Sequence, residues 1–327
     1  MSLHTDTLFN IDSESHFISA ALQVFRHQYN HCSVYRAFAS ALGKTPDSVA
    51  ALHDIPFLPV EFFKTHRVYS SSHPPQITFT SSGTTGQITS RHEVADVNIY
   101  ETSFLKGFER FYGNPAEWTF LCLLPSYLER EGSSLVYMAD VLIRKSASQQ
   151  SGFYLKNYRE LSEKLRMLNA SGTKTLLLGV TYALLDLAEQ FPQALENITI
   201  METGGMKGKR REMIREELHS ILKSAFHVNA IHSEYGMTEL LSQAYSLGEG
   251  KFFTPPWMKI LIREMNDPFS FVPEGKTGGV NIIDLANIHS CSFIATSDLG
   301  KIRADGSFEI LGRFDNSDIR GCNLMVQ

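Results

Sequence analysis

Residues 77–86 read Ile-Thr-Phe-Thr-Ser-Ser-Gly-Thr-Thr-Gly, a short β-branched and aromatic run that leads into hydroxyl residues and glycines. Such a segment has little to bury in a core, but it can form a loop around a phosphate group. Glycine lets backbone N–H groups approach an anion closely, and serine and threonine hydroxyls add donors that rotate to fit it. The stretch therefore predicts a strand followed by a phosphate-binding loop. An ordinary flexible turn is the alternative that the segment alone leaves open.

Other phosphate-binding and hydrolase signatures are missing from the sequence. Gly-Lys-Thr occurs at residues 43–45 and 275–277, but Phe38 and Ser270 stand where a Walker loop needs its first glycine. There is no G-x-S-x-G nucleophile elbow and no G-x-G-x-x-G after a strand. The loop at residues 81–86 therefore indicates another class of nucleotide-binding protein.

Two later segments complete a pattern with this loop. Residues 233–239 read Ser-Glu-Tyr-Gly-Met-Thr-Glu, and residues 296–300 read Thr-Ser-Asp-Leu-Gly, followed by Gly-Arg-Phe-Asp at 312–315. In this order the three motifs resemble those of the adenylate-forming superfamily, which includes acyl-CoA synthetases, luciferases and adenylation domains. The resemblance implies an α/β fold, the large N-terminal domain of these enzymes, with layered α/β sheets and a small β-rich subdomain.

A narrower resemblance covers most of the chain from about residue 50. Residues 55–64 (Ile-Pro-Phe-Leu-Pro-Val-Glu-Phe-Phe-Lys), 201–208 (Met-Glu-Thr-Gly-Gly-Met-Lys-Gly) and 232–239 are similar to segments of LuxE-type acyl-protein synthetases. This family belongs to the bacterial fatty-acid reductase system that supplies aldehyde for luminescence. Its members lack the mobile C-terminal lid domain of the superfamily, and this sequence likewise ends shortly after Arg313.

The resemblance implies that ATP and Mg²⁺ are bound. The triphosphate would lie in the loop formed by Ser81, Ser82, Gly83, Thr84, Thr85 and Gly86. Gly204 and Gly205 would bring backbone against the face of adenine, and Tyr235 would stack on it. Thr238 would contact the α-phosphate, and Glu239 would hold Mg²⁺ between phosphate oxygens, a role that suits a hard carboxylate.

Asp298 would accept hydrogen bonds from the ribose hydroxyls, with Arg313 nearby in a similar role. Residue types alone leave other roles open. Glu239 opens a helical pattern and could simply stabilise a helix N-terminus, and Asp298 could be a turn aspartate. His232 is either structural or faces the substrate.

The sequence departs from the superfamily in two places. The phosphate loop usually continues with proline and lysine, whereas Ile88 and Thr89 follow here, and Arg91 is the residue that could supply the missing charge. The lid domain carries the lysine that promotes adenylation, so its absence leaves the source of that cation open. The family acylates its own cysteine near the C-terminus, and Cys322 occupies the corresponding place, with Arg320 available to lower the thiol pKa.

Composition restricts the class of protein further. The 327 residues are 43% hydrophobic, which is ample for a packed core, and the formal net charge of -5 gives no support for nucleic-acid binding. Neither a signal peptide nor a membrane-spanning run is evident, and four well-separated cysteines suit reduced thiols. We therefore expect a cytoplasmic protein.

The hydrophobic pattern predicts the order of elements. Helices are expected over 13–42, 158–169 and 209–226, and buried strands over 118–124, 175–180 and 198–201, an alternation typical of a parallel α/β sheet. Shorter strands at 258–263, 279–284, 292–295 and 308–311 predict a small antiparallel or barrel-like subdomain. We expect a single core, 1–327, with a helical region over 1–75, an α/β layer over 76–250, and a β-rich subdomain with the acceptor tail over 251–327.

These features lead to one main hypothesis. The protein activates a fatty acid or another carboxylic acid with ATP to acyl-AMP, transfers the acyl group to Cys322 as a thioester, and supplies an NADPH-dependent acyl reductase. In the second hypothesis the thiol acceptor is external, as in an acyl- or aryl-CoA ligase or a loader of a carrier protein. In the third, the protein is a non-catalytic nucleotide-binding or scaffold homologue.

Overall fold

The computed structural model describes residues 5–81, 88–125, 132–206, 210–211 and 213–313. These residues form two compact units. Unit 1 combines the N-terminal region up to residue 74 with the residues from 256 onward, and unit 2 spans 75–255. The predicted strand and helix types are largely confirmed, but the helical N-terminal region and the β-rich C-terminal region share one unit.

Unit 2 contains a parallel sheet with helices between its strands. Its helices are α5 (Val97–Tyr112), α6 (Ser134–Lys145), α7 (Tyr158–Ala170), α8 (Thr181–Gln190) and α9 (Arg215–Phe226). Its strands in chain order are β2 (Ile77–Thr80), β3 (Arg91–Val94), β4 (Thr119–Leu123), β5 (Gly152–Tyr154), β6 (Thr175–Val180), β7 (Ile198–Thr203), β8 (His232–Tyr235), β9 (Ala244–Ser246) and β10 (Phe252–Phe253).

The strand order β5-β4-β6-β7-β8 is parallel throughout, and β9 then pairs antiparallel with β8 and with β10. Every residue of β4 and β6 is buried. This is expected for central parallel strands, since both of their faces are covered. Strands β2 and β3 form a separate antiparallel pair.

The helices of unit 2 begin where the sequence supplies caps. The Asp96 side chain accepts a hydrogen bond from the backbone N–H of Asn98 at the start of α5, and Ser133 does the same for Val136 at the start of α6. Helix α9 begins at Arg215, later than the predicted residue 209. Two features account in part for this later start. The guanidinium of Arg210 binds Asp186 and Glu189 of α8, and the backbone of Ile214 is extended rather than helical.

Unit 1 combines helices with an antiparallel sheet. Its helices are α1 (Thr5–Leu8), α2 (Glu14–His31), α3 (Ser33–Ala41) and α4 (Phe62–Thr65). Its strands are β1 (Leu58–Pro59), β11 (Met258–Arg263), β12 (Gly278–Asp284), β13 (Phe293–Ile302) and β14 (Phe308–Arg313). Strands β11 to β14 form an antiparallel meander, as predicted, and β1 adds to β13 in parallel.

Buried contacts explain why the two ends of the chain form one unit. The amide of Gln28 on α2 donates to the carbonyl of Asn287 (2.9 Å) and accepts from the backbone N–H of Ser292 (2.9 Å). Phe25, Tyr35 and Phe293 pack their rings together below these bonds. A buried amide must be satisfied wherever a partner exists, so α2 is fixed to the segment that leads into β13.

Among the described residues, no helix is both long enough and apolar enough to cross a lipid bilayer.

Candidate functional site

The predicted phosphate loop connects β2 and β3, which pair with Thr80 opposite Arg91. Beyond that pair, the backbone N–H of Ser81 donates to the carbonyl of Ser90 (3.1 Å), and the backbone N–H of Ser90 donates to Oγ of Ser81 (2.9 Å). The loop is thus closed at its base like a hairpin. Ser82, Gly83, Thr84, Thr85 and Gly86 lie outside the described residues, so their contacts with phosphate stay predictions.

Gly204 and Gly205 directly follow β7, at the carboxyl edge of the parallel sheet. Gly204 has a φ of +69°, a conformation that favours glycine, and its carbonyl lies 3.2 Å from the hydroxyl of Thr181. A Cβ placed on Gly205 would meet no atom within 4 Å, so the backbone there is open to an approaching group. The carboxyl edge of parallel strands is the usual place for a ligand in such sheets.

Tyr235, Thr238 and Glu239 follow the neighbouring strand β8. Tyr235 is half-buried, with its ring 6.0 Å from the ring of Phe252. Thr238 and Glu239 lie in a turn and Glu239 is only 6% exposed. No residue from 236 to 243 is helical. The alternative in which Glu239 stabilises a helix N-terminus is therefore wrong.

His92 on β3 connects the phosphate-loop hairpin to this turn. Its Nδ1 lies 2.9 Å from the carbonyl oxygen of Thr238, to which it donates. Burial lowers the pKa of His92 to about 4 although this hydrogen bond raises it, so the ring is neutral at pH 7. Arg91, next to it, is exposed at the base of the loop. The bond holds the end of the loop beside Thr238 and Glu239.

Glu202 lies buried on one face of the β7–β8 pair, where it has cationic and hydrogen-bonding partners. Its Oε1 is 3.4 Å from Nε of Arg215 and 3.5 Å from Nε2 of His219, both on α9. Ser233, the residue paired with Glu202 across the strands, lies beside the same histidine. Burial raises the pKa of Glu202, but His219 and Arg215 outweigh it, and the pKa lies below its usual value.

Glu234 follows Ser233 on β8 and lies buried on the face of the sheet opposite to that of Glu202. It is paired across the strands with Thr203, whose hydroxyl donates to its Oε2. Burial is the main cause that raises the pKa of Glu234 to about 7, and the nearby charge of Glu202 adds to it. The carboxyl oxygen Oε1 lies so close to Gly236 that a Cβ there would clash with it.

Asp298 and Arg313 lie in unit 1, and the structure brings these two predicted ribose ligands together. They face each other across β13 and β14, and Nε of Arg313 donates to Oδ1 of Asp298 (3.0 Å). Asp298 is buried inside β13, and its backbone N–H donates to Oγ1 of Thr296 (3.1 Å). The alternative of a turn aspartate is therefore wrong.

Cys322 lies outside the described residues, so its role as an acyl acceptor stays a prediction. The other three cysteines, Cys32, Cys122 and Cys291, are buried. Burial raises the pKa of each thiol, which keeps it protonated and poorly nucleophilic at pH 7.

A magnesium ion fits Glu239 on the chemistry of the side chain. Within the described residues, no group of three or more His, Cys, Asp and Glu side chains is arranged to hold a metal. Mg²⁺, however, is commonly bound through one or two carboxylates together with the phosphates of the substrate. The buried carboxylate of Glu239 would be the protein's contribution to such a site.

Sequence reasoning did not assign His92, Thr203, Glu202 or Glu234. For His92 the available signal was the alternation of side chains along a strand, which predicts that this residue faces inward. A polar side chain that faces inward directly after a phosphate loop needs a hydrogen-bond partner. Thr203 and Glu234 were visible only as neighbours of the Gly-Gly and Tyr-Gly motifs. Their contact depends on which residues β7 and β8 place opposite each other.

The fold over most of the chain is that of adenylate-forming enzymes. ATP-bound MatB from Rhodopseudomonas palustris superimposes with a TM-score of 0.56 at 17% identity, covering 85% of this chain and 56% of MatB. A 2-hydroxyisobutyryl-CoA ligase, solved in the postadenylation state with R3-HIB-AMP, gives a TM-score of 0.65 at 11% identity. It covers 93% of this chain and 68% of that ligase. The predicted fold class is confirmed, and the described residues, which end at Arg313, hold no lid domain.

The predicted family resemblance is also confirmed in the N-terminal part of the chain. Residues 8–100 match the family described as "Acyl-protein synthetase, LuxE". A long-chain-fatty-acid–luciferin-component ligase of Photorhabdus luminescens is 41% identical over 66 residues. This match covers 20% of the present chain and 56% of that relative, so the chain spans about half the length of the curated relative it matches.

Proposed function

We propose that this protein is an ATP-dependent ligase that activates a fatty acid as acyl-AMP. The observation that carries the proposal is the hydrogen bond from His92 to the carbonyl of Thr238, which joins the phosphate-loop hairpin to the Thr238–Glu239 turn. The base of the loop that would bind the phosphates and a turn that offers a hydroxyl and a carboxylate are then side by side. The name of the Photorhabdus luminescens relative supports a long-chain fatty acid as the substrate.

In the first half-reaction a carboxylate oxygen of the fatty acid attacks the α-phosphorus of ATP. The bond to the oxygen that bridges to the β-phosphate breaks, and pyrophosphate leaves. The loop 81–86 would bind the triphosphate, and Thr238 would donate to an oxygen of the α-phosphate as negative charge builds there. Mg²⁺ at Glu239 would neutralise phosphate charge, and the exposed Arg91 would supply a cation at the loop base.

In the second half-reaction the thiolate of Cys322 attacks the acyl carbonyl of acyl-AMP, AMP leaves, and a thioester forms. An NADPH-dependent acyl reductase would then accept the acyl group. Support for Cys322 as the acceptor comes from the family resemblance and from the burial of the three other cysteines. External coenzyme A is the competing acceptor, favoured by the likeness of the fold to acyl-CoA ligases.

Pyrophosphate release, measured across a panel of carboxylic acids of increasing chain length, tests the first half-reaction. We expect release that requires a fatty acid and Mg²⁺. Glu239→Gln keeps the shape but removes the charge, and should lower the rate by about two or more orders of magnitude. Glu163→Gln, an exposed change on α7, is the matched control and should leave the rate unchanged. Wild-type protein that releases no pyrophosphate with any acid supports the non-catalytic homologue instead.

Labelling with a radioactive fatty acid tests the acceptor. Cys322→Ser should keep fatty-acid-dependent pyrophosphate release but lose the hydroxylamine-labile label on the denatured protein. A serine hydroxyl stays protonated where a thiol can ionise, so it is a poor replacement. Acyl-CoA formed on addition of coenzyme A, with no protein label in the wild type, would instead support an external acceptor.

A further inference from the structure

A buried side-chain hydrogen bond joins the ends of β7 and β8. The hydroxyl of Thr203 donates to Oε2 of Glu234, and both residues occupy paired positions at the carboxyl edge of the sheet. The turn at Gly204-Gly205 begins directly after Thr203, and the turn at Tyr235-Gly236 directly after Glu234. The resemblance to adenylate-forming enzymes places adenine between these two turns, so this bond would lie directly beneath the nucleotide.

Glu234 also determines the packing of the second turn. Its Oε1 contacts Gly236 so closely that no larger residue fits there without movement, and the stem of Gln243 closes the other side. On β9, Tyr245 stands opposite Glu234 in the strand pairing and is fully buried. The carboxyl group therefore contacts the backbone that would place Tyr235 against adenine.

We propose that Glu234 is a positioning residue of the nucleotide site: through Thr203 and Gly236 it sets the separation of the two turns that would enclose adenine. This inference rests on the proposed function, since it concerns the same site.

The groups around Glu234 make this positioning depend on pH. Thr203 faces it from β7, Tyr112 from α5 and Tyr245 from β9, the charge of Glu202 acts on it from the other face of the sheet, and no lysine or arginine among the described residues lowers its pKa. His232, two residues earlier on the same strand, is kept neutral because burial lowers its pKa to about 4.

Burial together with the charge of Glu202 raises the pKa of Glu234 to about 7. Below that pH the group is a neutral acid that keeps the bond to Thr203. Above it, an uncompensated carboxylate lies beside Glu202 and below a polyanionic nucleotide. Affinity for ATP should therefore fall as the pH rises through 7.

Calorimetric titration of the full-length protein with MgATP between pH 6 and pH 8.5 tests this. We expect the wild-type affinity, relative to that of Glu234→Gln at the same pH, to fall about tenfold over this range. The ratio removes the ionisation of ATP itself, because the nucleotide is identical in both titrations. A constant ratio would overturn the inference while leaving the proposed function intact. Wild-type protein that binds no MgATP at any pH would overturn the proposed function, and the inference with it.

Substitutions at Thr203 test the hydrogen bond separately and do not depend on how Glu234→Gln folds. Thr203→Val removes the donor and should weaken MgATP binding about tenfold at pH 6.5, whereas Thr203→Ser keeps the hydroxyl and should stay near wild type. Thr199→Val, the same change on the same face of β7, is the matched control. Equal affinities for the valine and serine variants at position 203 would also overturn the inference.

Discussion

Glu202 and Glu234 are both buried carboxyl groups on adjacent strands, yet their pKa values are shifted in opposite directions. Glu202 faces α9, where Arg215 and His219 outweigh its burial and lower its pKa. Glu234 faces Thr203 and buried tyrosines, and its pKa rises to about 7. The two exposed fractions, 4% and 8%, are similar, so burial does not explain the difference. The difference comes from the partners, because His219, Arg215 and Ser233 stabilise the carboxylate of Glu202, whereas no lysine or arginine in the described part of the chain lowers the pKa of Glu234.

The comparison teaches that one residue type can serve two purposes within one site. A carboxylate with a cation beneath it holds α9 against the sheet at every pH near neutrality. A carboxyl group without one can change its charge where the nucleotide would bind. Because the alternation of a strand sends neighbouring residues to opposite faces, a step of one position separates the two environments.

Replacing Arg215, the cation beside Glu202, should cause the largest loss of stability. Arg215→Met keeps an apolar stem over the ring of Phe252 but leaves the carboxylate of Glu202 with its hydrogen-bonding partners and without the arginine. We expect a loss of about 3 kcal/mol in the free energy of unfolding at pH 8, measured by urea denaturation. Arg166→Met, an exposed change on α7, should cost little.

The stability that Glu202 contributes depends on pH, and the direction follows from its lowered pKa. Glu202 has a lowered pKa, so the stability it contributes is present above the unfolded value near 4.5 and is lost as the pH falls below it. In Arg215→Met this acid-induced loss should shrink. A variant as stable as the wild type at pH 8 would show that the ion pair has no net value.

Neutralising the other glutamate should produce a change of opposite sign. Glu234 has a raised pKa, so its contribution is complete below pH 4.5 and is lost as the pH rises to about 7. The wild type should therefore lose on the order of 3 kcal/mol over this window. Glu234→Gln should remove this loss and be more stable than the wild type at pH 8, relative to pH 5. Parallel stability curves for the two proteins would contradict the assigned pKa.

A smaller loss of stability is expected when Tyr112, which lies near Glu234, is replaced. The hydroxyl of Tyr112 lies 3.1 Å from Nδ1 of His232, and Tyr112→Phe would remove this partner from the partly buried nitrogen. The expected cost is about 1 kcal/mol by urea denaturation. Tyr29→Phe is the matched control, since Tyr29 bonds Ser40 at an exposed position and should cost less.

The smallest loss of stability is expected for the ion pair of Asp298, because its cation is exposed. Asp298 is buried, but the side chain of its partner Arg313 is 73% exposed. Arg313→Gln should therefore cost no more than about 1 kcal/mol in the free energy of unfolding, and less at high salt. A loss as large as that of Arg215→Met would show that exposure of the cation does not decide the value of the pair.

The order of the elements was largely readable from the sequence. Continuous apolar runs marked β4, β6 and β7, because central parallel strands are buried on both faces, and helical spacing marked α2 and α7. The start of α9 was predicted six residues too early. The helical pattern was extended over Arg210, whose side chain binds α8 instead.

The three ordered motifs, by themselves, indicated the fold class, since each is a local run of residues with local chemistry. Only the tertiary structure decided what those residues touch. Asp298 meets Arg313 through the pairing of β13 with β14, and His92 meets Thr238 across 146 positions of sequence. The contrast between Glu202 and Glu234 depends on strand alternation together with what packs on each face. A pKa is set by the charges and the burial around a group, which distant parts of the chain supply, so no local motif could reveal it.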